Sequence, residues 1–483
     1  MQSIVDVRNA RRVNEAARTG PSNVLSYFVL ASILLAIQLY GRVGVAAITP
    51  PVFMSQLLLL GVILLHLGLN LFGRQPSFPD SSILVFEILF LVIAPSLQTV
   101  YDARFMVNTQ PLDETYALQC NLIYIVFILF YLGGRYLIPF SHPKAAPSSL
   151  PAMKINYVAL IVVLAICAVA TASAIGFARH FQAGDFERVD ITPVDMVERK
   201  LLYFLIVPVF VLIVLYRPRR IGPIWILMAL AAFAMLFFCQ NPAIEKRNAL
   251  GPIYLMLLSL MFWRWLKTPP RVFWSIFILS GLFFPISEIF THHKMDEWAV
   301  SPGMFQNFFV EHFTSTAYDA WANTISVAEM VSREGVSWGK QLAGALLFFV
   351  PHSIWPGKPQ ATGIVIGEYL SRNYRMWFLN LSAPLPAEGY LDFAWAGVVA
   401  YGVILGRFSR RIDALIASSP MRRALGFYLS FYMIFLLRGS LMVAVAYVTP
   451  VFATFLLVDF FLLSRKSQSA GVGRRPALRD PIA

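Results

Sequence analysis

Between Glu288 and Tyr390 the chain gathers side chains able to move protons and to hold anions: Glu288, His292, His293, His352, Lys358, Arg372, Arg375 and Glu388. Imidazole and carboxylate groups are the common general acids and bases, and Lys and Arg are the common ligands of phosphate. The same stretch contains Pro351-His-Ser-Ile-Trp-Pro-Gly-Lys-Pro359, too rich in proline for a continuous helix. Trp298, Trp355, Trp377 and Tyr390 add aromatic side chains. A second basic set lies outside this stretch, in Glu245-Lys-Arg-Asn-Ala-Leu250 and around Phe186-Glu-Arg-Val-Asp-Ile-Thr192. Lys246 and Arg247 open an apolar helix, where a cation opposes the helix dipole and calls for an offsetting anion. That anion is either Glu245 or a bound ligand. Arg179, Arg188, Arg199 and Lys200 pose the same choice, with Asp185, Glu187 and Asp190 as the in-chain partners. The His292-His293 pair has no third ligand at helical or turn spacing, so no metal site is expected.

The elements that position these groups are membrane helices. The chain is 58% hydrophobic and only 13% charged, with a mean hydropathy of +0.65, against about 25% charged residues in soluble domains. Continuous apolar runs near the length of a membrane span recur along it: Val24–Tyr40, Phe53–Phe72, Ser82–Leu97, Asn121–Tyr136, Tyr157–Gly176, Leu201–Tyr216, Ile224–Cys239, Gly251–Trp265, Val272–Ile289, Tyr390–Gly406, Phe427–Leu437 and Val448–Leu463. The expectation is an all-α polytopic protein of about twelve spans. Phe427–Leu437 is the shortest of them. Unbroken rather than alternating hydrophobicity argues against a β-barrel.

Charge sets the expected orientation. With the N-terminus in the cytoplasm, the inner segments carry Arg8, Arg11, Arg12, Arg18, Arg74, Arg135, Lys144, Lys154, Arg217, Arg219, Arg220, Arg264, Lys267 and Arg271. They also carry Arg407, Arg410, Arg411, Arg422 and Arg423 and the basic C-terminal tail, but few acids. Every inner loop then obeys the positive-inside rule, and both termini are cytoplasmic. The net charge of +13 therefore records topology. It does not form the aromatic-interleaved basic stripe of a nucleic-acid binder. The N-terminal lead lacks the cleavage pattern of a signal peptide. Cys120, Cys167 and Cys239 are too scattered for a disulfide framework or a metal cage.

Residues 24–464 read as one membrane domain between two polar tails, 1–23 and 465–483, with no internal repeat. Its single very long outer loop, 290–388, is rich in aromatics and so expected to be structured. Within it Ser301–Val331 predicts one or two amphipathic helices, and Gln341–Val350 a short re-entrant or interfacial helix ended by Pro351. Three ionisable groups fall in spans or at their rims, where they are costly. Glu87 is read as bonded to a neighbouring helix or as functional. Asp459 is read as a structural contact. Arg438 is either a snorkelling cation or an anion ligand at the surface.

The order of these features resembles the bacterial O-antigen or oligosaccharide repeat-unit polymerase family (Wzy-type). The likeness rests on many spans, Glu245-Lys-Arg-Asn-Ala-Leu250 before a span, and a long outer loop with Pro351-His-Ser-Ile-Trp-Pro-Gly-Lys-Pro359 and Gly363. Ser382-Ala-Pro-Leu-Pro-Ala-Glu-Gly-Tyr-Leu-Asp-Phe-Ala-Trp-Ala-Gly397 then leads into the next span. His352 departs from the family, which often has Arg there. The resemblance implies a glycosyltransferase of the bacterial inner membrane, working on its external face. It would move a growing glycan from undecaprenyl pyrophosphate onto a new lipid-linked repeat unit, with no cofactor and no metal. Partners implied are the lipid-linked oligosaccharide and the bilayer, with a chain-length regulator and a flippase. On this reading Arg188, Arg247, Lys246, Lys358 and Arg438 cradle pyrophosphate. Glu288, His292, His293, His352 and Glu388 supply the base or place the acceptor, and Trp355 and Tyr390 face the sugar. An O-antigen ligase, or a flippase or transporter of lipid-linked glycans, is the alternative.

Overall fold

The computed structural model describes residues 21–43, 48–101, 106–139, 153–182, 193–218, 221–241, 247–283 and 310–465. Within them each of the twelve apolar stretches forms a helix. The first nine are α1 (Pro21–Val43), α2 (Pro50–Leu71), α3 (Phe78–Tyr101), α4 (Glu114–Leu137), α5 (Tyr157–Gln182), α6 (Pro193–Leu215), α7 (Pro223–Cys239), α8 (Arg247–Met261) and α9 (Pro269–Ile278). A π-helical turn, Leu279–Phe283, extends α9. Three helices of the long loop follow: α10 (Ala320–Glu334), α11 (Lys340–Leu346) and α12 (Thr362–Tyr374). The last three apolar stretches are α13 (Leu385–Ile416), α14 (Pro420–Arg438) and α15 (Leu441–Phe461). Among the described residues seven helices, α1 to α5, α13 and α15, are long and apolar enough to cross a membrane. The helical form follows from lipid, which offers no hydrogen-bond partner to an open backbone.

Local sequence marks the helix starts. Proline occupies the first turn of α2, α7, α9 and α14, where its missing N–H is no loss. Ser77 caps α3 by accepting from the Asp80 amide, and Asp113 caps α4 by accepting from Thr115 and Tyr116. The stretch Phe427–Leu437, short by hydropathy, is the centre of a 19-residue helix. Arg422 and Arg423 in its first turn hide its true length from an apolar scan. The Arg423 guanidinium turns back to the Ile416 carbonyl at 2.9 Å and lies 4.8 Å from the Trp263 ring.

The most extensive helix pairing is α4 with α13. Gly402 and Gly406 make it possible. A Cβ on Gly402 would stand 2.7 Å from the Phe127 carbonyl, and one on Gly406 would overlap the Tyr131 carbonyl. This Gly-x-x-x-Gly spacing lets two backbones touch, the usual basis of helix association where no hydrophobic driving force exists. Two short strands, β1 (Met153–Ile155) and β2 (Leu463–Arg465), pair antiparallel and strap the start of α5 to the end of α15.

Two buried polar clusters cross-link the bundle. His66 of α2 meets Glu87 of α3, with Nδ1 at 3.0 and 3.2 Å from the two carboxylate oxygens. Glu87 is thus bonded to a neighbouring helix, the first of its two expected readings. At the end of the bundle that carries Arg407 and Arg410, the Arg135 guanidinium joins Asp80 of α3, through Nε at 3.0 Å, to Asp413 of α13. Tyr131 and Tyr136 add their hydroxyls to Asp80.

Candidate functional site

The loop helices form a cap on the opposite end of the bundle. Its centre is α10, whose first eleven residues, Ala320 to Met330, are all buried. An amphipathic helix was expected here, with its apolar face alone covered. The difference lies in the polar partners that close over its other face. Asn108 donates from Nδ2 to Asn323 Oδ1 at 2.8 Å and to Ser326 Oγ at 2.9 Å. Gln110 bonds Ser326 and Glu329. Tyr374 donates to Glu329 at 2.6 Å, and Arg333 pairs with the same carboxylate oxygen at 2.5 Å. Burial, with help from Glu329, pushes the Tyr374 phenol up to about 12. Asp319 and Asn323 hold Ser382 through its amide and its carbonyl at 3.1 and 2.8 Å.

The cap is fastened at the turn between α14 and α15. Arg438 reaches the Thr316 carbonyl at 3.3 Å and Asp319 at 3.7 Å. Ser440 Oγ accepts from the Thr362 amide at 3.2 Å. The Leu441 amide donates to both Glu388 oxygens, at 3.0 and 3.1 Å. Glu388 and Asp392 lie one turn apart on the first segment of α13. Asp392 accepts from the Gln341 and Leu342 amides at 3.1 and 2.9 Å, and from Ser337 Oγ at 2.5 Å. These two acids thus each cap another helix, α15 and α11, with a charge suited to its N-terminal dipole.

The segment bearing them ends in a break. Phe393 and Ala394 leave the helical region, Ala394 at φ 50°, and α13 starts again on a new course. Gly389 and Gly397 meet backbone to backbone across the bend: a Cβ on Gly389 would be 2.9 Å from the Gly397 carbonyl. The Glu-Gly-Tyr…Gly pattern is therefore the geometry of a kinked helix, with glycines at its closest approach. The helix expected over Gln341–Val350 is shorter, seven residues ending at Leu346. The chain stays apolar through Val350, and turns complete the run to Pro351.

A cavity of about 390 Å³ opens between the end of α10, the start of α11, the Lys358–Gln360 turn and α12. Its polar lining is Glu334, Ser337, Lys340, Gln341, Lys358, Gln360 and Glu368. Lys358 is engaged by its own turn, since Nζ donates to the Phe348 and Val350 carbonyls at 2.5 and 2.9 Å. Burial holds that ammonium below the usual lysine range. Glu334 faces Arg372 at 3.5 Å on the surface. Lys340 Nζ, the Gln360 amide and the Glu368 carboxylate have no partner among the described residues. An ammonium, an amide and a carboxylate around one small cavity can both donate to and accept from several hydroxyl groups.

The expected site residues fall into three groups. Lys358 lines the cavity. His352 and Trp355 belong to the turn just before it, with His352 exposed. Glu388 and Tyr390 are interior, at 1% and 6% exposed, and the Tyr390 hydroxyl bonds Gln119, whereas Arg438 is half-buried. Arg438 was read as snorkelling or as an anion ligand, yet it joins the cap to the bundle. Arg247 is the first residue of α8, with its side chain outside the described residues. Arg188, Lys246, Glu288, His292 and His293 also lie outside them. Sequence reasoning missed Lys340, Gln360 and Glu368. No motif marks them, and only the fold brings them together. Among the described residues no group of His, Cys, Asp or Glu is arranged to hold a metal ion.

A direct test separates capping from catalysis at Glu388. Glu388→Gln keeps an acceptor for the Leu441 amide, so folded yield and activity should stay within about twofold of wild type. If Glu388 were the general base, the same change would lower turnover about 10²-fold or more with the fold intact. Glu388→Ala strips the cap and should cost about 1–3 kcal/mol of stability, read as a lower unfolding temperature in detergent.

In comparisons with known proteins, no family model matches the chain, and no curated protein and no solved structure matches it significantly.

Proposed function

We propose that the chain is a membrane glycosyltransferase of the repeat-unit polymerase (Wzy) type. It would transfer undecaprenyl-pyrophosphate-linked glycan to a new lipid-linked repeat unit at the external face of a bacterial inner membrane. The observation that carries this reading is the polar cavity in the cap, lined in part by Lys358 and Pro359 at the end of the Pro351–Pro359 turn. It lies at the end of the bundle away from Arg135, Arg407 and Arg410. Taken with the positive-inside rule, that polarity supports the reading of an outward cap with both termini in the cytoplasm. All twelve apolar helices then serve as spans, with α10, α11 and α12 outside them. Reaction at the cap needs an anion cradle for departing pyrophosphate, a base for the acceptor hydroxyl and a groove for sugar. Arg188, Lys246 and Arg247 are the proposed cradle. Lys340, Gln360 and Glu368 are the proposed hydroxyl contacts, with Glu368, an exposed carboxylate that has no protein partner among the described residues, the proposed base.

The test is the glycan profile of a strain lacking the chromosomal copy and complemented with variants. Arg247→Ala should abolish chain extension in a protein that still inserts. Lys340→Ala and Glu368→Gln should each reduce long-chain product about tenfold to a hundredfold at unchanged membrane level. Wild-type chain lengths in both cavity variants would remove the cavity from the reaction. The deletion itself separates the alternatives. Single capped repeats mark a polymerase, long unattached chains a ligase, and lipid-linked repeats held at the cytoplasmic face a flippase.

A further inference from the structure

The short helix α11 lies where two long apolar helices start, at the cap end of the bundle. A Cβ on Gly339, just before it, would strike the Phe393 ring at the break of α13, and one on Gly344 would strike Met442 in the first turn of α15. From Phe393 the chain runs about 30 Å of helix to Asp413, in the network at the other end of the bundle. The hydrocarbon core of a bilayer has that thickness. α11 is therefore level with a membrane surface.

Its last residues and the turn after them leave apolar side chains open. Leu346, Leu347, Phe349 and Ile354 are all exposed, Phe349 at 64%. The backbone that carries them is nonetheless bonded within the chain. The Leu347 and Val350 amides donate to the Ala343 and Leu347 carbonyls at 2.9 and 3.0 Å, and the Ile354 and Trp355 amides both donate to Pro351. Lys358 places its ammonium on the Phe348 and Val350 carbonyls. In water such carbonyls take donors from solvent, but in lipid they must find them in the protein. Just before α11, Trp338 adopts a left-handed backbone, φ 54°, which a side chain with a Cβ disfavours, and its indole is 81% exposed. Trp is enriched where a membrane meets water.

We infer that residues 338–354 form a shallow wedge in the lipid leaflet on the cap side of the bundle, with Leu346, Leu347, Phe349 and Ile354 among the acyl chains and Trp338 among the headgroups. Of the two placements expected for this segment, this is the interfacial one. The wedge is shallow because α11 is only seven residues long and the polar, exposed His352 and Ser353 interrupt the apolar surface. Lys340, Gln341 and Lys358 also line the cavity in the cap, so the wedge holds that cavity at the level of the headgroups. A substrate anchored in the bilayer by its own chains can then reach it without leaving the membrane. The wedge itself does not depend on the glycosyltransferase reading.

The experiment is fluorescence quenching in nanodiscs of phosphatidylethanolamine and phosphatidylglycerol. The full-length chain carries Cys120→Ala, Cys167→Ala and Cys239→Ala, and an environment-sensitive nitrobenzoxadiazole dye is attached at Phe349→Cys or, as a control on the exposed charged face of the cap, at Arg372→Cys. Lipid spin-labelled near the top of its acyl chain should quench the dye at 349 about twofold or more, the depth of an interfacial helix, while aqueous iodide leaves it unchanged. Position 372 should show the reverse. Iodide quenching at 349 equal to that at 372 overturns the proposal by placing the turn in water. A dye at 349 that neither agent quenches overturns it too, by showing that the chain itself covers the turn. If the cysteine-free chain does not fold, wild type in nanodiscs containing lipid with a diazirine in its acyl chain gives the same readout. Photo-adducts within 338–354 are expected there, and adducts confined to α13 and α15 sink the wedge.

Discussion

Replacing Arg135 by Met is expected to destabilise the protein by about 3–5 kcal/mol, the usual result of taking one partner from a buried ion network. Arg135 is 7% exposed and Asp80 1%. The guanidinium supplies Nε to Asp80 at 3.0 Å, and its NH2 donates to Ser77 Oγ at 3.0 Å and also meets Asp413. Without it two carboxylates from α3 and α13 face each other across a gap of low dielectric. Tyr131 and Tyr136 still donate to Asp80, so its carboxylate is not left bare, but neither hydroxyl supplies charge. Asp80 also sits in the first turn of α3, whose dipole favours it, so removing the acid is the milder change. Arg135→Lys keeps the charge and loses the planar fork, and should recover part of the loss. Thermal unfolding in detergent reads all three. An unfolding temperature for Arg135→Met equal to wild type would mean that the network adds nothing to the fold. On the proposed function, glycan chain length per folded molecule should not change, because the network lies at the end opposite the cap.

The spans were legible because lipid imposes one solution on the backbone, and a continuous apolar run therefore reads as a helix at sight. The cap was not, and the reason is specific. Its polar bonds join residues far apart in the chain, such as Gln110 with Glu329 and Asn108 with Asn323. No local periodicity records such pairs. A polar residue on α10 signals solvent to a sequence reading but is, in the fold, covered by loop residues that precede it by more than two helices. Arg135 and Asp413 look from sequence like ordinary inner-loop charges for the same reason. The glycines could be seen but not interpreted: Gly389 and Gly397 belong to a visible motif, yet their contact across the bend at Phe393 and Ala394 appears only in three dimensions.

The cap also changes what the motif residues mean. Glu388 was attractive as an acid because it precedes a span at the end of a polar loop, and Asp392 follows it one turn on. In the fold they face inward, onto the amides that open α15 and α11. Such acids position the walls of the cavity, whose lining includes Lys340 and Glu368, residues that look unremarkable in sequence. Arg438 acts likewise on Asp319. A motif in an outer loop can thus mark the frame of a site, and the frame constrains residue type as tightly as chemistry does.

The His66–Glu87 pair allows the sharpest separation of frame from function. Both residues are buried, His66 at 0% and Glu87 at 2%, in neighbouring spans, and ionisable groups there are by default functional candidates. His66 Nε2 has no partner, and the Tyr131 ring stands 5.3 Å from the imidazole. His66→Ala leaves Glu87 without a donor in the apolar interior and should cost about 3–5 kcal/mol. Glu87→Leu leaves a neutral imidazole unbonded and should cost less, about 1–3 kcal/mol. The double change His66→Leu with Glu87→Leu removes both polar groups and fills much of their volume. Apolar replacement of a whole buried pair is often neutral or stabilising, so its unfolding temperature should return to wild type or exceed it. If the pair only joins α2 to α3, then on the proposed function the double variant also makes glycan of wild-type length. A stable double variant that fails to extend chains would give the pair a role in turnover, since its fold would be intact and its only loss a site for a proton within the bundle.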